Sequence, residues 1–509
     1  MGSKSVKVEE EQQDRISDLP DCLIHHMLSF LPSRWQNQWT RVPVLIFNYT
    51  GISCENSHNI IDNILNLQDC SKIKKFHLDH PCSDDKDPGI TAKIGFATRK
   101  HVEDLSLTLS QHVYTLPEFL FDNASLVKLT IQNCTLMPNG RVNWECLTEL
   151  GMYDCKLPDQ AMEHILSGSP LLKSLELIAS LSQFDKLIIV SKSLKRFLCH
   201  HNAAMGFVYS DRFISAFEIS CPNLEELSLN LNVVTICYSK LVTQAIKNVV
   251  SCSLLLESFD LNCDGISGLV IASESLKRLA LGHLTDVEIS CPNLEKLIIL
   301  NDLGRVGTVK LLNLSSLLCA TIDFYGPEFY GLGEWEEDDI SDQESQKSWI
   351  KDILQQLQHI KELTLGRCII KVLSKFVSMG DLFLPVLDTN PKFGIICVLR
   401  NSHVLEKLVI NVPHYDQKYY NFLKQTDFGK NYWNSNERDF DCLSLHLKTI
   451  MIIGCPEEVV LTFVKFLLKN ARVLEKMVVE FKDHVTTSKM AAFERGFMRL
   501  PRCSKNCDY

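Results

Sequence analysis

The stretch Cys221-Pro-Asn-Leu-Glu-Glu-Leu-Ser-Leu-Asn-Leu231 decides the fold, because it returns as Cys291-Pro-Asn-Leu-Glu-Lys-Leu-Ile-Ile-Leu300. Both contain the phrase apolar, two residues, apolar, one residue, apolar: Leu224/Leu227/Leu229 and Leu294/Leu297/Ile299. From about Ile73 onward it recurs at Val102/Leu105/Leu107, Leu126/Leu129/Ile131, Leu147/Leu150/Met152, Leu172/Leu175/Leu177 and Leu194/Phe197/Cys199. Further copies are Leu256/Phe259/Leu261, Leu276/Leu279/Leu281, Leu317/Ala320/Ile322, Ile360/Leu363/Leu365, Leu405/Leu408/Ile410, Leu447/Ile450/Ile452 and Leu474/Met477/Val479. Offsets of three and two match neither a helical stripe nor plain alternation, but they suit a short strand reached from a turn. Longer intervals, from 224 to 256 and from 317 to 360, predict an added loop or helix between strands.

Successive starts such as 126 and 147 lie about 20 residues apart, the period of a leucine-rich repeat. The expected fold class is therefore α/β: a solenoid over residues 70–415 with parallel strands on its concave face. No unit can bury its leucines alone, so neighbours must stack. Residues flanking the leucines should point outward, among them Asp104, Ser106, Lys128, Thr130, Glu149, Tyr153, Ser174 and Glu176. Glu226, Ser228, Asn230, Asp260, Arg278 and Lys296 are the candidate contacts to a target. Their mixture of small polar groups and both charge signs suits a protein partner; a phosphate pocket would ask for denser Arg and Lys. Asn133-Cys134, Asp154-Cys155 and Asn262-Cys263 are placed just after strands, and Cys221 and Cys291 at tight corners, where a small buried side chain fits.

Composition narrows the function. Of 509 residues, 45% are hydrophobic, enough for a large core. Residues 1–13 are polar and acidic and read as a disordered N-terminus without a secretory signal. The longer apolar runs stop well short of the ~20 residues that cross a bilayer. Twenty cysteines in such a chain are read as reduced thiols in an intracellular protein. Cys503 and Cys507 alone are a weak zinc signal. A net charge of −10 argues against nucleic acid or anionic membrane as principal partner. Phosphate loops, nucleophile elbows and paired metal ligands are missing from the sequence, so neither cofactor nor enzymatic activity is expected. His25-His26 and His200-His201 are adjacent pairs whose side chains diverge. Gly326 to Glu344, extending to about 346, carries the run Glu334-Trp-Glu-Glu-Asp-Asp-Ile-Ser-Asp-Gln-Glu344. It reads as a solvated insertion in preference to an acidic recognition loop for a basic partner. Tyr415–Asn436 reads as another loop.

The two ends carry the remaining signals. Asp14 to Phe47 opens with Leu19-Pro20 and an amphipathic stripe of Leu23, Ile24, Met27, Leu28 and Leu31, closed by Pro32. Arg34, Trp35, Trp39, Val42 and Pro43 follow. Periodicity by itself is also consistent with an ordinary core helix. Asp441 to Phe481 reads strand–helix–strand, with Glu457 and Glu458 in the first helical turn and Lys469 in the last. Val459, Val460, Phe463, Phe466, Leu467 and Ala471 form its apolar face. Together these features resemble the plant F-box/leucine-rich-repeat/FBD proteins: F-box over 14–50, repeats, and an FBD-like domain over 436–509. The resemblance implies a non-catalytic, substrate-recognition subunit of an SCF-type E3 ubiquitin ligase in the nucleus and/or cytoplasm. Leu19, Pro20, Leu23, Leu28, Leu31, Pro32, Trp35 and Trp39 would grip a Skp-type adaptor and, through it, a cullin. The family, however, carries roughly a dozen residues where this chain has only Ser33 between Pro32 and Arg34. A dozen helical residues span about 18 Å, so nearly one helix of the module is missing. The alternative expectation is an interaction protein whose degenerate F-box no longer engages the ligase.

Overall fold

The computed structural model describes residues 41–508 apart from 49–53, 82–85, 110–113, 159, 180–185, 202–215, 232–235, 264–265, 284–285, 303–306, 326–342, 367–398, 400–401, 412–440, 454–457, 482–486, 502 and 505–506. The adaptor-binding candidates Leu19 to Trp39, the acidic run and the Tyr415–Asn436 segment lie outside the described residues. The chain divides into two units, residues 1–157 with 168–170, and residues 158–167 with 171–509.

The first unit is a parallel ladder of five strands: β1 (Val44–Phe47), β2 (Lys75–His80), β3 (Asp104–Leu109), β4 (Lys128–Gln132) and β5 (Glu149–Tyr153). Leu105, Leu107, Leu129, Ile131, Leu150 and Met152 point into the core and are buried. Helices α1 (Cys54–Leu67), α2 (Pro88–Arg99) and α3 (Glu118–Phe121) fill the returns between strands. Asp87 starts α2 by accepting the N–H groups of Gly89 and Ile90, with Pro88 in the first turn. Trp144 is fully buried, stacks on Phe121 and donates its indole N–H to Leu120 O at 2.8 Å. The ladder opens at β1, inside the region that resembles an F-box. Its spacing, Val42-x-x-Leu45-x-Phe47, is the same phrase as every later rung.

In the second unit eleven strands pair in order and in parallel. They are β6 (Ser174–Ala179), β7 (Arg196–His201), β8 (Glu226–Leu231), β9 (Ser258–Cys263), β10 (Arg278–Gly282), β11 (Lys296–Asp302), β12 (Cys319–Tyr325), β13 (Glu362–Leu365), β14 (Lys407–Asn411), β15 (Thr449–Ile453) and β16 (Lys476–Glu480). Each leucine phrase of the sequence is one rung, and the parallel-strand α/β solenoid expected from the repeat is the fold observed. Helix α4 (Ala161–Gly168) precedes β6, α5 (Ile236–Cys252) fills the 224-to-256 interval, and α6 (Gln343–Gln356) the 317-to-360 interval. The acidic stretch, expected to run to about 346, thus gives way to helix at Gln343.

Adjacent rungs are locked by a repeated backbone motif. Within each unit, the carbonyl of the residue just before a strand accepts two N–H groups from the next rung. Lys195 O accepts from Glu225 and Glu226, Glu225 O from Glu257 and Ser258, and Glu257 O from Lys277 and Arg278. The corners add side-chain ties. Cys221 Sγ donates to Ile189 O and Cys291 Sγ to Ile271 O, while Asn223 and Asn293 donate to Lys192 O and Glu274 O at 2.7 Å. Cys221 and Cys291 thus sit in buried corners, as expected. Asn133 and Asp154 turn with φ of 56° and 50° directly after their strands, a conformation their short polar side chains tolerate. Asn262 and Cys263 instead belong to β9, because its pairing with β8 extends through Cys263. The four cysteines 155, 199, 221 and 442 are buried, and burial pushes their thiols up to about 12, 12, 11 and 12. They serve as small apolar wedges and not as nucleophiles.

At the C-terminal side, α7 (Glu458–Asn470) links β15 to β16 and buries Val464, Phe466, Leu467 and Leu468. Phe466, Leu467 and the following Ala471 were expected on that face; Val459, Val460 and Phe463 have no described side chain. α8 (Thr487–Met498) packs on α7, with Phe493 edge-on to Phe481. The outer edge of β16 is covered: Asp508 O accepts Met477 N–H and Asp508 N–H donates to Glu475 O.

Phe259 is fully buried at the middle of the long ladder. Phe259→Ala should lower unfolding free energy by about 3–5 kcal/mol in guanidinium titration. Lys192→Ala at an exposed corner should change it by under about 0.5 kcal/mol.

A candidate protein-binding face on the strand ladder

The in-register pairing places the outward residues of successive strands in rows. In the second unit the third residues of β6 to β10 are Glu176, Leu198, Ser228, Asp260 and Ala280; the fifth are Ile178, His200, Asn230, Asn262 and Gly282. Their first residues are Ser174, Arg196, Glu226, Ser258 and Arg278, with Lys296 next on β11. Five of the six candidate contacts, Glu226, Ser228, Asn230, Asp260 and Arg278, thus share one face across three adjacent strands, and Lys296 lies one strand beyond. Alternation with the buried leucines fixes this orientation.

Interactions within the cluster are polar and partly shielded from water. His200 Nε2 lies 3.0 Å from Ser228 Oγ, and Arg278 donates to Ser258 Oγ at 3.3 Å. Burial pulls the His200 pKa below its ordinary value, against the opposing pull of Asp260 and Glu176. Burial likewise pushes the Asp260 carboxyl up, opposed first by Arg278 and then by His200. Each group therefore costs the empty face some solvation, which an incoming partner with matched hydrogen bonds would recover. In the sequence His200 is one of an adjacent His-His pair, a pattern that points first to metal ligation and hides its place on this face. Its place after the Leu194/Phe197/Cys199 phrase was the available signal.

Beyond β10 the same face is mixed: Thr321 and Asp323 on β12 and Thr364 on β13 are polar, and apolar side chains stand among them. Ile298 and Leu300 on β11, Val409 on β14, Met451 and Ile453 on β15 and Val478 on β16 all point outward and are half-buried by neighbouring rungs. These apolar outward residues carry no signal in the sequence, because an apolar strand residue fits either face. Along the strand starts, charges of opposite sign pair between rungs: Lys195–Glu225 at 2.6 Å, Lys277–Glu257 at 2.8 Å and Lys407–Glu362 at 3.0 Å. Glu406 stands between Lys361 at 2.9 Å and Lys448 at 3.3 Å, whose hydrogen bonds hold its carboxyl below the usual range. Such exposed pairs contribute about 0–1 kcal/mol each and chiefly set the charge pattern of the rim.

Among the described residues, no group of three or more His, Cys, Asp or Glu is arranged to hold a metal ion. No described helix is long and apolar enough to cross a membrane.

A ladder of parallel strands from leucine repeats, with helices in the returns, defines a leucine-rich-repeat protein. Residues 94–230 match the family model "FBD-associated F-box protein At5g56370, LRR repeats", and residues 438–479 match the FBD model. The FBD match covers β15, α7 and most of β16, so this domain supplies the last rungs of the ladder. F-box/LRR-repeat protein 25 of Arabidopsis thaliana is 32% identical over 196 residues, which are 36% of this chain and 73% of that protein. F-box/LRR-repeat protein At3g03360 of the same plant is 26% identical over 341 residues, 60% of this chain and 69% of the relative. F-box/LRR-repeat protein At5g02910, also from Arabidopsis thaliana, is 31% identical over 233 residues, 42% of this chain but only 48% of the relative. Against some relatives the chain thus spans less than half of their length. The chain belongs to the F-box/LRR-repeat family with an FBD domain.

The depressed His200 pKa has a consequence for stability. As pH falls through the ordinary histidine value of 6.5, the unfolded chain takes up a proton before the native one does, so native stability falls. Between about pH 7.5 and 5.5, the melting temperature of His200→Asn should fall less than that of the unsubstituted chain. Equal losses would show that His200 titrates as an exposed imidazole.

Proposed function

We propose that the chain is the substrate-recognition subunit of an SCF-type E3 ubiquitin ligase complex, itself without catalytic activity. In this reading residues 14–50 form a truncated F-box that docks a Skp-type adaptor and through it a cullin, in the nucleus and/or cytoplasm. The repeats, over about 70–415, bind a target protein, and the FBD-like domain over 436–509 completes the ladder. Ubiquitin transfer is then accelerated by proximity, with the chemistry supplied by other subunits. The observation that carries target binding is the mixed outward face of the ladder. A polar cluster, half-buried Ser228, Asn230, Asp260 and Arg278 with exposed Glu226, lies beside outward Ile298 and Leu300 and the charge of Lys296. An apolar patch with charged neighbours is the composition of a protein-binding interface with a dry centre and polar rim.

Adaptor binding rests on the family resemblance and on Leu19, Pro20, Leu23, Leu28, Leu31, Pro32, Trp35 and Trp39. The lone Ser33 between Pro32 and Arg34 favours a second reading, an interaction protein that binds targets without entering the ligase.

Pull-down with a purified Skp-type adaptor separates the two. The first reading expects capture by the full chain and its loss on Leu23→Ala with Leu28→Ala. No capture by the full chain, alongside capture once the missing helix is restored, establishes the second. For the ladder face, Asp260→Lys with Arg278→Glu should weaken a bound target by about 100-fold while leaving adaptor capture intact. Unchanged target affinity would remove this face from the function.

A further inference from the structure

The two places before a rung are small or polar at Pro222-Asn223, Glu274-Ser275, Pro292-Asn293 and Ser315-Ser316, and other corners carry a single exposed apolar residue, Leu171, Val404 or Leu445. Before β9 the same two places are Leu254 and Leu255, and they are 77% and 51% exposed. Neither serves the core, since Leu256 is the buried leucine of that rung. These leucines line an open cavity of about 610 Å³ that runs along the strand starts, off the ladder face. Its other walls include Glu225, Glu257, Glu274, Glu295 and Lys277.

The charge of this groove is one-sided. Four carboxylates meet a single ammonium, Lys277, which is bound to Glu257 at 2.8 Å. Glu225 is bound to Lys195 at 2.6 Å. Among the described residues, neither Glu274 nor Glu295 makes an ion pair within 4.0 Å, and Lys277, already bound to Glu257, also feels the charge of Glu295. Ser275, Asn293 and Ser316 supply polar groups between them. Exposed apolar side chains rimmed by polar groups mark an interaction site, and the carboxylates select the sign of the occupant.

We propose that this groove docks a short basic segment of a partner protein. Apolar side chains of that segment cover Leu254 and Leu255, and its Lys or Arg groups meet Glu274 and Glu295. None of the groove's lining residues is an outward ladder residue, so it offers a second contact beside the ladder face on the same chain. A tethered second contact raises the local concentration of the first and strengthens the pair together.

The test uses the full chain and fluorescence anisotropy with a labelled octapeptide of alternating lysine and leucine; the glutamine–leucine and glutamate–leucine peptides are the comparators. The lysine peptide should bind, about tenfold more tightly than the glutamine one, with the glutamate one weakest. Leu254→Asn with Leu255→Ser restores the corner pattern of other rungs and should weaken the lysine peptide about tenfold. Glu274→Lys with Glu295→Lys, at exposed sites, should do the same. Glu163→Lys with Glu218→Lys, neither of which lines the groove and both exposed, should not. Circular dichroism on every variant checks the fold. Equal affinity for the lysine and glutamine peptides, or equal loss with the Glu163/Glu218 pair, overturns the proposal. So does self-association of the chain, by sedimentation velocity, that disappears in the Leu254/Leu255 variant, because a second copy would then be the occupant.

Discussion

Within each unit, one carbonyl before a strand, accepting two amides from the following rung, holds the rungs in register. Glu225, Glu257 and Lys277 all supply such a carbonyl in turn. The residue before and the residue opening each strand are therefore pinned together, and the leucines after them fall into line with those of the neighbour. A slip by one residue would turn every leucine outward, since side chains alternate. Neither element suffices alone: unpaired, a rung exposes its leucines, and unregistered, the leucines do not stack.

That constraint also shapes function. Because the buried positions are fixed, variation is confined to the outward rows and to the corners, and both carry distinctive chemistry. Polar and apolar outward residues alternate along the ladder, with the densest polar group on β8 to β10, and paired charges decorate the strand starts. His200 and Asp260 are held half out of water with pKa values displaced by burial. Outward residues can change one at a time without disturbing a single leucine.

The sequence revealed the ladder well because its signal was redundant: fourteen phrases with one spacing, each becoming a strand. It revealed less where a second pattern overlay the first. Val42, Leu45 and Phe47 have the repeat spacing, yet their place beside Trp35 and Trp39 drew them into the F-box reading. Asn262 sat in a phrase like that of Asn133, but the pairing of β9 with β8 carried it into the strand. Helix α6 began inside the tail of the acidic run because Gln343 and its successors answer to Trp349, Ile350 and Ile353, which are buried. On the face itself, the polar outward residues were legible from the x positions of each phrase. Outward Ile298, Leu300 and Met451 were not, because hydrophobicity in a strand does not say which side it faces. Exposure at Leu254 and Leu255 needed the three-dimensional corner to become visible.

The central claim is that these rungs stack in parallel register through the paired amides. Hydrogen–deuterium exchange of the full chain tests it residue by residue. The amides of Glu257, Ser258, Lys277 and Arg278, with those inside β8, β9 and β10, should exchange slowly and as one block. The corner amides of Leu254 and Leu255 should exchange much faster. Exchange in the strand amides as rapid as at the corners would contradict the account, because those donors would then have no neighbouring rung to hold them.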